Sequence, residues 1–251
     1  MFKHHEESIK NMISHYQKNA EIIALFLIGS VATGTARADS DLDGVAVVSE
    51  NYLEWRRKNG GLEEVCREGC TYEGGYFNIH YMTIKNLENT AANGQEPMRN
   101  MFVAAQPLFC PDPAIQSLVA KIPIFQTADA AAKQFKFYCT FRMFYNYFWV
   151  SCKPTGYMRH HVIDGMIYNL YRLILLENQI LFPSMRKLEE YVKAAPNKPA
   201  NILEKCAALM STQSNEDCTA LVAAYETWTS YDFPKDHNVI MNNFNNPLEW
   251  Q

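Results

Sequence analysis

The sequence predicts an α+β chain in two parts, a mixed sheet with helices over residues 1–125 and a helical bundle over residues 126–251. Before about residue 125, short apolar runs alternate with Gly-rich and polar turns, the texture of strands joined to helices. After it, segments of helical length follow one another between breaks marked by Pro and Gly. Between the two, turn residues from Cys110-Pro111-Asp112-Pro113 to Pro123 bracket a short helix and set the boundary near residue 125. A chain of 251 residues is long enough for one large domain or two small ones.

The N-terminal stretch MFKHHEESIKNMISHYQKN is charged and helix-like, and it lacks the apolar core of a secretory signal. Three strands are expected next: IIALFLIG (22–29), DGVAVVS (43–49) and GGYFNIHYMTI (74–84), with helical pieces between them. The longest apolar run, Ile22 to Ile28, is far too short to span a bilayer. In the second half, helices are expected over roughly 128–151, 157–178, 184–194, 200–212 and 216–230. Lys153-Pro154-Thr155-Gly156, Phe182-Pro183 and Asn197-Lys198-Pro199 break them. The run Phe135 to Trp149 is apolar or aromatic on almost every face, as in a buried helix, and its Tyr145 and Tyr147 are candidates for the wall of an acceptor pocket. Residues 231–251, with Asn242, Asn243, Asn245 and Asn246, are read either as a cover over the cleft or as a loose tail.

Composition narrows the partners. Lys and Arg number 23 against 27 Asp and Glu, a net charge of −4. A protein that grips duplexes through phosphate contacts needs clustered basic excess, so nucleic acid is not the expected partner and a small molecule is. With 48% hydrophobic residues the chain can bury a sizeable core. Seven scattered cysteines with no CxxC pair read as reduced thiols of a cytoplasmic protein. Cys66 and Cys70, drawn together with His4-His5 or His160-His161, lack the spacing of a zinc site. Oligomeric state is not legible.

The chemistry concentrates between Leu25 and Ser49, LFLIGSVATGTARADSDLDGVAVVS. An apolar strand runs into Gly29-Ser30, and Ser40-Asp41-Leu42-Asp43 then enters a second apolar strand. Side chains alternate along a strand, so Asp41 and Asp43 share a face, and two carboxylates at that spacing suit a hard divalent cation such as Mg²⁺. Gly29 admits a close backbone approach, while Ser30 offers a hydroxyl and an N–H to phosphate. Two other readings compete. One is a solvated turn, since Asp, Ser and Gly are turn residues. The other is an EF-hand, because Asp39 to Glu50 satisfies the loop pattern in full. The EF-hand requires a helix over residues 27–38, where Gly29, Val31, Thr33, Gly34 and Thr35 oppose one, and a second helix where the β-prone VAVVS stands.

Gly29-Ser30 followed by Ser40-Asp41-Leu42-Asp43 resembles the signature of the nucleotidyltransferase superfamily with a DNA polymerase β-like palm. In texture the chain is similar to the small bacterial enzymes that adenylylate aminoglycoside and lincosamide antibiotics. Gly74 to Tyr81 resembles the strand that brings the superfamily's third carboxylate, and Gln106 to Asp112 its "LyDpdg" turn. Leu176 to Pro183 with Arg186-Lys187-Leu188 resembles a segment of the companion helical domain. The resemblance implies a polymerase β-like fold and Mg²⁺-dependent transfer of a nucleoside monophosphate, AMP from ATP, to a hydroxyl of a small molecule such as an aminoglycoside-like acceptor. It implies Asp41 and Asp43 as metal ligands and Gly29 and Ser30 as holders of the β- and γ-phosphates. Ser40 is expected to fix the turn or touch a phosphate, and Arg37 and Lys187 are candidates for phosphate contact. Arg159, Arg172 and Arg186 are further basic candidates from the helical half. Thr33 stands where relatives often carry a basic residue. Asn78 stands where the superfamily presents a carboxylate, and an amide is no base. His80, two residues on, and Glu73, at the strand's entry, are the candidate replacements. The alternative is a catalytically degenerate nucleotide-binding or regulatory protein of the same fold.

Overall fold

The computed structural model describes residues 1–244, so Asn245 and Asn246 lie outside the described residues. The chain divides into two compact units, Met1–Ile124 and Phe125–Gln251.

In the first unit, α1 (Lys3–Tyr16) precedes β1 (Ile22–Leu27), the five-residue α2 (Gly29–Thr33), β2 (Leu42–Val48), α3 (Glu50–Asn59), β3 (Glu63–Cys66) and β4 (Phe77–Met82). Then follow α4 (Ile84–Asn93), α5 (Glu96–Asn100), β5 (Gln106–Phe109) and α6 (Pro113–Lys121). The strands form one mixed sheet in the order β3-β4-β2-β1-β5. β2 runs parallel to β4, and the other pairings are antiparallel. β2 is covered on both faces, which explains its nearly unbroken apolar sequence. Met12 and Tyr16 of α1 and Leu53 of α3 pack on one face with Leu25, Leu42, Phe77 and Ile79. Leu87 of α4 and Ile115 and Val119 of α6 pack on the other with Phe26, Val45 and Val47.

Local chemistry sets the element ends. Ser49 caps α3 by accepting from the Tyr52 N–H at 3.1 Å, with Glu50 in the first turn and Arg56, Arg57 and Lys58 in the last, complementing the helix dipole. The third expected strand, 74–84, is shorter in the structure, because Thr83 and Asn86 form a reciprocal capping box that starts α4. Asp112 caps α6 and Pro113 occupies its first turn, so the Cys110–Pro113 turn opens the short helix expected there. β3 and β5 have no counterpart among the expected strands. Both are four-residue edge strands; β3 carries Glu63 and Glu64 and an exposed Val65, and β5 carries Pro107, so neither shows apolar alternation. The EF-hand reading fails here, since residues 42–48 are a central strand.

Under α1 and α3, Glu64 accepts from the Tyr16 hydroxyl at 2.9 Å, the Arg56 guanidinium at 2.7 Å and the Tyr81 hydroxyl at 3.0 Å. Burial would raise the Glu64 pKa, but Arg56 and the two phenols outweigh it and hold the carboxyl below its ordinary value.

The second unit is helical: α7 (Ala130–Met143) continuing into a π-helical stretch (Phe144–Ser151), α8 (Gly156–Glu177), a 3₁₀ turn (Met185–Lys187), α9 (Leu188–Ala194), α10 (Ile202–Thr212), α11 (Asn215–Trp228) and α12 (His237–Asn243). The single helix expected over 128–151 therefore widens to π geometry from Phe144. Tyr138, Phe141, Met143 and Trp149 are buried, as expected of an all-round apolar run. Tyr145 packs on this core with its hydroxyl 3.2 Å from that of Thr219, and Tyr147 is exposed. Arg159 lies 4.3 Å over the Trp149 ring and Arg172 4.2 Å over those of Phe137 and Phe182, so both basic candidates are spent on packing within the unit. Arg186 and Lys187 sit in the 3₁₀ turn, Arg186 exposed and Lys187 half-buried. Asn242 and Asn243 end α12, whose Ile240 is buried. Among the described residues no helix is long and apolar enough to cross a membrane.

Candidate functional site

The parallel pairing of β2 with β4 organises the site. Its register sets Asp43 beside Asn78 and Val45 beside His80, and the Leu42 N–H donates to the Tyr76 carbonyl at 3.1 Å where the ladder begins. Leu42, Phe77 and Ile79 point to the face under α1, so Asp41, Asp43, Tyr76 and Asn78 belong to the other. Asp41 and Asp43, both half-buried, thus share a face, as their spacing predicts.

Each carboxylate has a polar neighbour. The Asn78 amide donates to Asp43 Oδ1 at 3.2 Å. Tyr76 is a neighbour of Asp41, and that carboxylate raises the phenol's pKa above its ordinary value. On the opposite side Asp43 meets the β1–α2 turn. Its backbone carbonyl accepts from the Ile28 N–H at 3.0 Å. Gly29 has φ +72°, and a Cβ built there would run into the Asp43 carboxylate. Only glycine satisfies both the left-handed backbone and the close approach. The fold therefore brings Gly29-Ser30 against the acidic pair, with Ser30 half-buried in the same turn.

The loop leading to Asp41 is fixed by groups to which the sequence assigns other roles or none. The Ser40 hydroxyl accepts from the Arg37 N–H at 2.9 Å, a bond that ties the turn. The Ser40 carbonyl accepts from the Tyr72 hydroxyl at 2.6 Å and from His5 Nε2 at 3.2 Å, and His4 Nε2 donates to the Ala38 carbonyl at 2.9 Å. Burial, then neighbouring Cys70 and Asp41, pushes the Tyr72 phenol up to about 12. His5 is wholly buried, and burial followed by His4 lowers its pKa. The histidine pair whose spacing does not suit zinc is thus a loop anchor.

The other candidates have contacts of their own. Arg37 is exposed and pairs with Asp39 at 3.0 Å, a solvated contact rather than one turned to the site. Thr33 closes α2 by donating to the Gly29 and Ser30 carbonyls, each at 3.1 Å. His80 lies one register step beyond Asn78, with Nδ1 3.4 Å from Glu63 of the edge strand. Glu73 is exposed in the turn before Gly74. Tyr76 is not singled out by the sequence, although its i−2 relation to Asn78 is a usable signal. Nor is Arg67; its guanidinium lies 5.3 Å over the Tyr76 ring and donates to the Gly74 carbonyl at 3.2 Å.

This donor set fits a hard cation: two carboxylates on one face and a glycine cradle against one of them. Residues 7–68 match the family described as Polymerase beta, Nucleotidyltransferase. Among solved structures, a nucleotidyltransferase-like protein from Exiguobacterium sibiricum is 11% identical, covering 89% of this chain and 74% of that chain at a TM-score of 0.42. No curated protein matches this chain.

Proposed function

We propose, from the premise that the N-terminal unit is a nucleotidyltransferase domain of the polymerase β superfamily, that this protein transfers AMP from ATP to a hydroxyl of a small molecule such as an aminoglycoside. The observation that carries the reading is the seating of Asp43 between Gly29 and Asn78 on the face it shares with Asp41. Mg²⁺ held by Asp41 and Asp43 would offset charge on the attacking and leaving oxygens. The Gly29-Ser30 turn offers a hydroxyl and N–H groups to the β- and γ-phosphates, and the close approach at Gly29 keeps those phosphates next to the acidic pair. The Asn78 amide restrains the Asp43 carboxylate, which favours a site arranged before substrate arrives. The acceptor oxygen bonds the α-phosphorus as the bond to pyrophosphate breaks, and the hydroxyl proton leaves to solvent. A net charge of −4 suits a cationic acceptor better than nucleic acid, and the protein is proposed to act in the cytoplasm.

The test incubates the protein with ATP, Mg²⁺ and a panel of aminoglycosides and lincosamides, following pyrophosphate release and acceptor mass. Pyrophosphate with an adenylylated product is the expected result, and Asp41→Asn or Asp43→Asn should weaken Mg²⁺-dependent ATP binding at least tenfold. Absence of metal-dependent nucleotide binding in the parent would sink the proposal.

Asn78 favours a second reading, a nucleotide-binding protein without transfer activity. Its amide donates to Asp43 and cannot take a proton, while His80 pairs with Glu63 and Glu73 faces solvent. Under this reading the parent binds ATP without turnover and Asn78→Asp creates turnover; a parent that already turns over refutes it.

A further inference from the structure

On the other face of the sheet, His15 in the last turn of α1 meets Glu64 and Cys66 of β3. One ligand atom from each, an imidazole nitrogen, a carboxylate oxygen and a sulfur, lies within 4.8 Å of the others, and all three residues are half-buried. Glu64 and Cys66 pair in register with Ile79 and Phe77, the residues alternating with Asn78, so the sheet separates this cluster from Asp41 and Asp43. We propose that His15, Glu64 and Cys66 form a Zn²⁺ site, independent of the nucleotide-transfer reading.

Three features support it. The donor set is soft to borderline, and thiolate with imidazole selects Zn²⁺ over the Mg²⁺ suited to the acidic pair. Glu64 retains capacity: Tyr16 donates to Oε1 while Arg56 and Tyr81 donate to Oε2, three donors for about four lone-pair positions, which leaves one on Oε1. The same donors lock the carboxylate, as outer-shell partners of metal ligands do. The geometry is also close. Tetrahedral zinc with bonds of about 2.0–2.3 Å needs donors roughly 3.5 Å apart, so side-chain adjustment of about 1 Å seats the ion. Cys66, whose thiol donates weakly to the Glu68 carbonyl at 3.8 Å, would bind as thiolate, its proton released to solvent, and water would complete the fourth position. The ion would tie the C-terminal turn of α1 to edge strand β3, while the first turn of α1 anchors the loop before Asp41 through His4 and His5.

Titration of the metal-free protein with Co²⁺ as spectroscopic probe tests this. The expected result is a sulfur-to-cobalt charge-transfer band and tetrahedral d–d bands that saturate at one equivalent, are displaced by Zn²⁺, vanish in Cys66→Ser and persist in the double variant Asp41→Asn/Asp43→Asn. No charge-transfer band in the parent, or a band that survives Cys66→Ser, overturns the proposal. Should Cys66→Ser fail to fold by circular dichroism, His15→Gln serves: affinity should fall at least tenfold, and unchanged affinity refutes the site. Zn²⁺ should also slow alkylation of Cys66 by iodoacetamide, mapped by mass spectrometry, and an unchanged rate counts against it.

Discussion

Replacing Gly29 by alanine tests whether the β1–α2 turn holds Asp43. Two costs combine. At φ +72° an L-residue is in the left-handed region, at about 1–2 kcal/mol. The new methyl would also enter the space of the Asp43 carboxylate, whose Cβ and Cγ would lie 3.0 Å away, and driving Asp43 off its rotamer costs about 0.5–1.5 kcal/mol. The expected loss of stability is the sum, about 1.5–3.5 kcal/mol. Gly34 supplies an internal control. It has nearly the same backbone, φ +77°, yet nothing lies within 4 Å of a Cβ built on it. Gly34→Ala therefore carries the backbone cost alone. Urea denaturation of both variants gives the carboxylate contact as their difference, in which the second unit's contribution cancels. Fluorescent ATP binding with Mg²⁺ then reads the site: Gly29→Ala should bind at least tenfold more weakly than the parent, and Gly34→Ala within about twofold. Equal denaturation losses together with undiminished binding by Gly29→Ala would refute the argument that this glycine seats the metal-binding carboxylate.

Asn78→Asp sets a third carboxylate on this face, where an amide now lies 3.2 Å from Asp43. Repulsion should lower the melting temperature of the metal-free protein, and Mg²⁺ should restore more of it than in the parent; differential scanning fluorimetry with and without Mg²⁺ decides. Tyr76→Phe removes a hydroxyl that neighbours Asp41 and whose pKa that carboxylate raises. Mg²⁺-dependent ATP affinity should change several-fold with little change in the fold; calorimetric titration reads it, and an unchanged affinity shows that Tyr76 does not set the orientation of Asp41. Glu64→Gln tests the network under α1. The folded-state pKa of Glu64 is lowered, so its stabilisation is present above the unfolded value and is lost as pH falls through the folded one. The parent should exceed the variant by about 1–3 kcal/mol at pH 7, the gap narrowing below pH about 4; a gap that is constant with pH would show that the carboxylate charge is not what matters.

Asp41 and Asp43 are legible in the sequence because their relation is local: a strand's period of two settles that they share a face. Gly29 is legible because a glycine-serine pair closing an apolar strand has few reasons other than a close approach. The partner of each carboxylate is not written locally. Asn78 stands out through resemblance and Tyr76 through its i−2 relation to it, whereas the carboxylate that each one faces follows only once β2 is known to pair in parallel with β4 and in which register. Parallel pairing is long-range, and no turn between the strands fixes it. His80 shows the same limit. It shares Asn78's face, as alternation requires, yet an edge strand with no apolar signal in the sequence supplies Glu63 as its partner.

Edge strand β3 also explains why the second cluster is invisible in the sequence. Its residues EEVC show no apolar alternation, so the sequence does not mark a strand there, and Cys66 is considered only beside Cys70 and distant histidine pairs. Once that strand is laid against β4, alternation gives the two sites different chemistry. Asn78 and the strand position before Phe77 look toward hard carboxylate oxygens, while Phe77 and Ile79, between and beside them, look toward a thiol, an imidazole and a carboxylate already gripped by an arginine and two phenols. A central sheet of this kind needs no length of chain to separate a hard oxygen donor set from a softer one. One residue's advance along β4 crosses from the first environment to the second, and under the two proposals donor hardness would keep each ion to its own face.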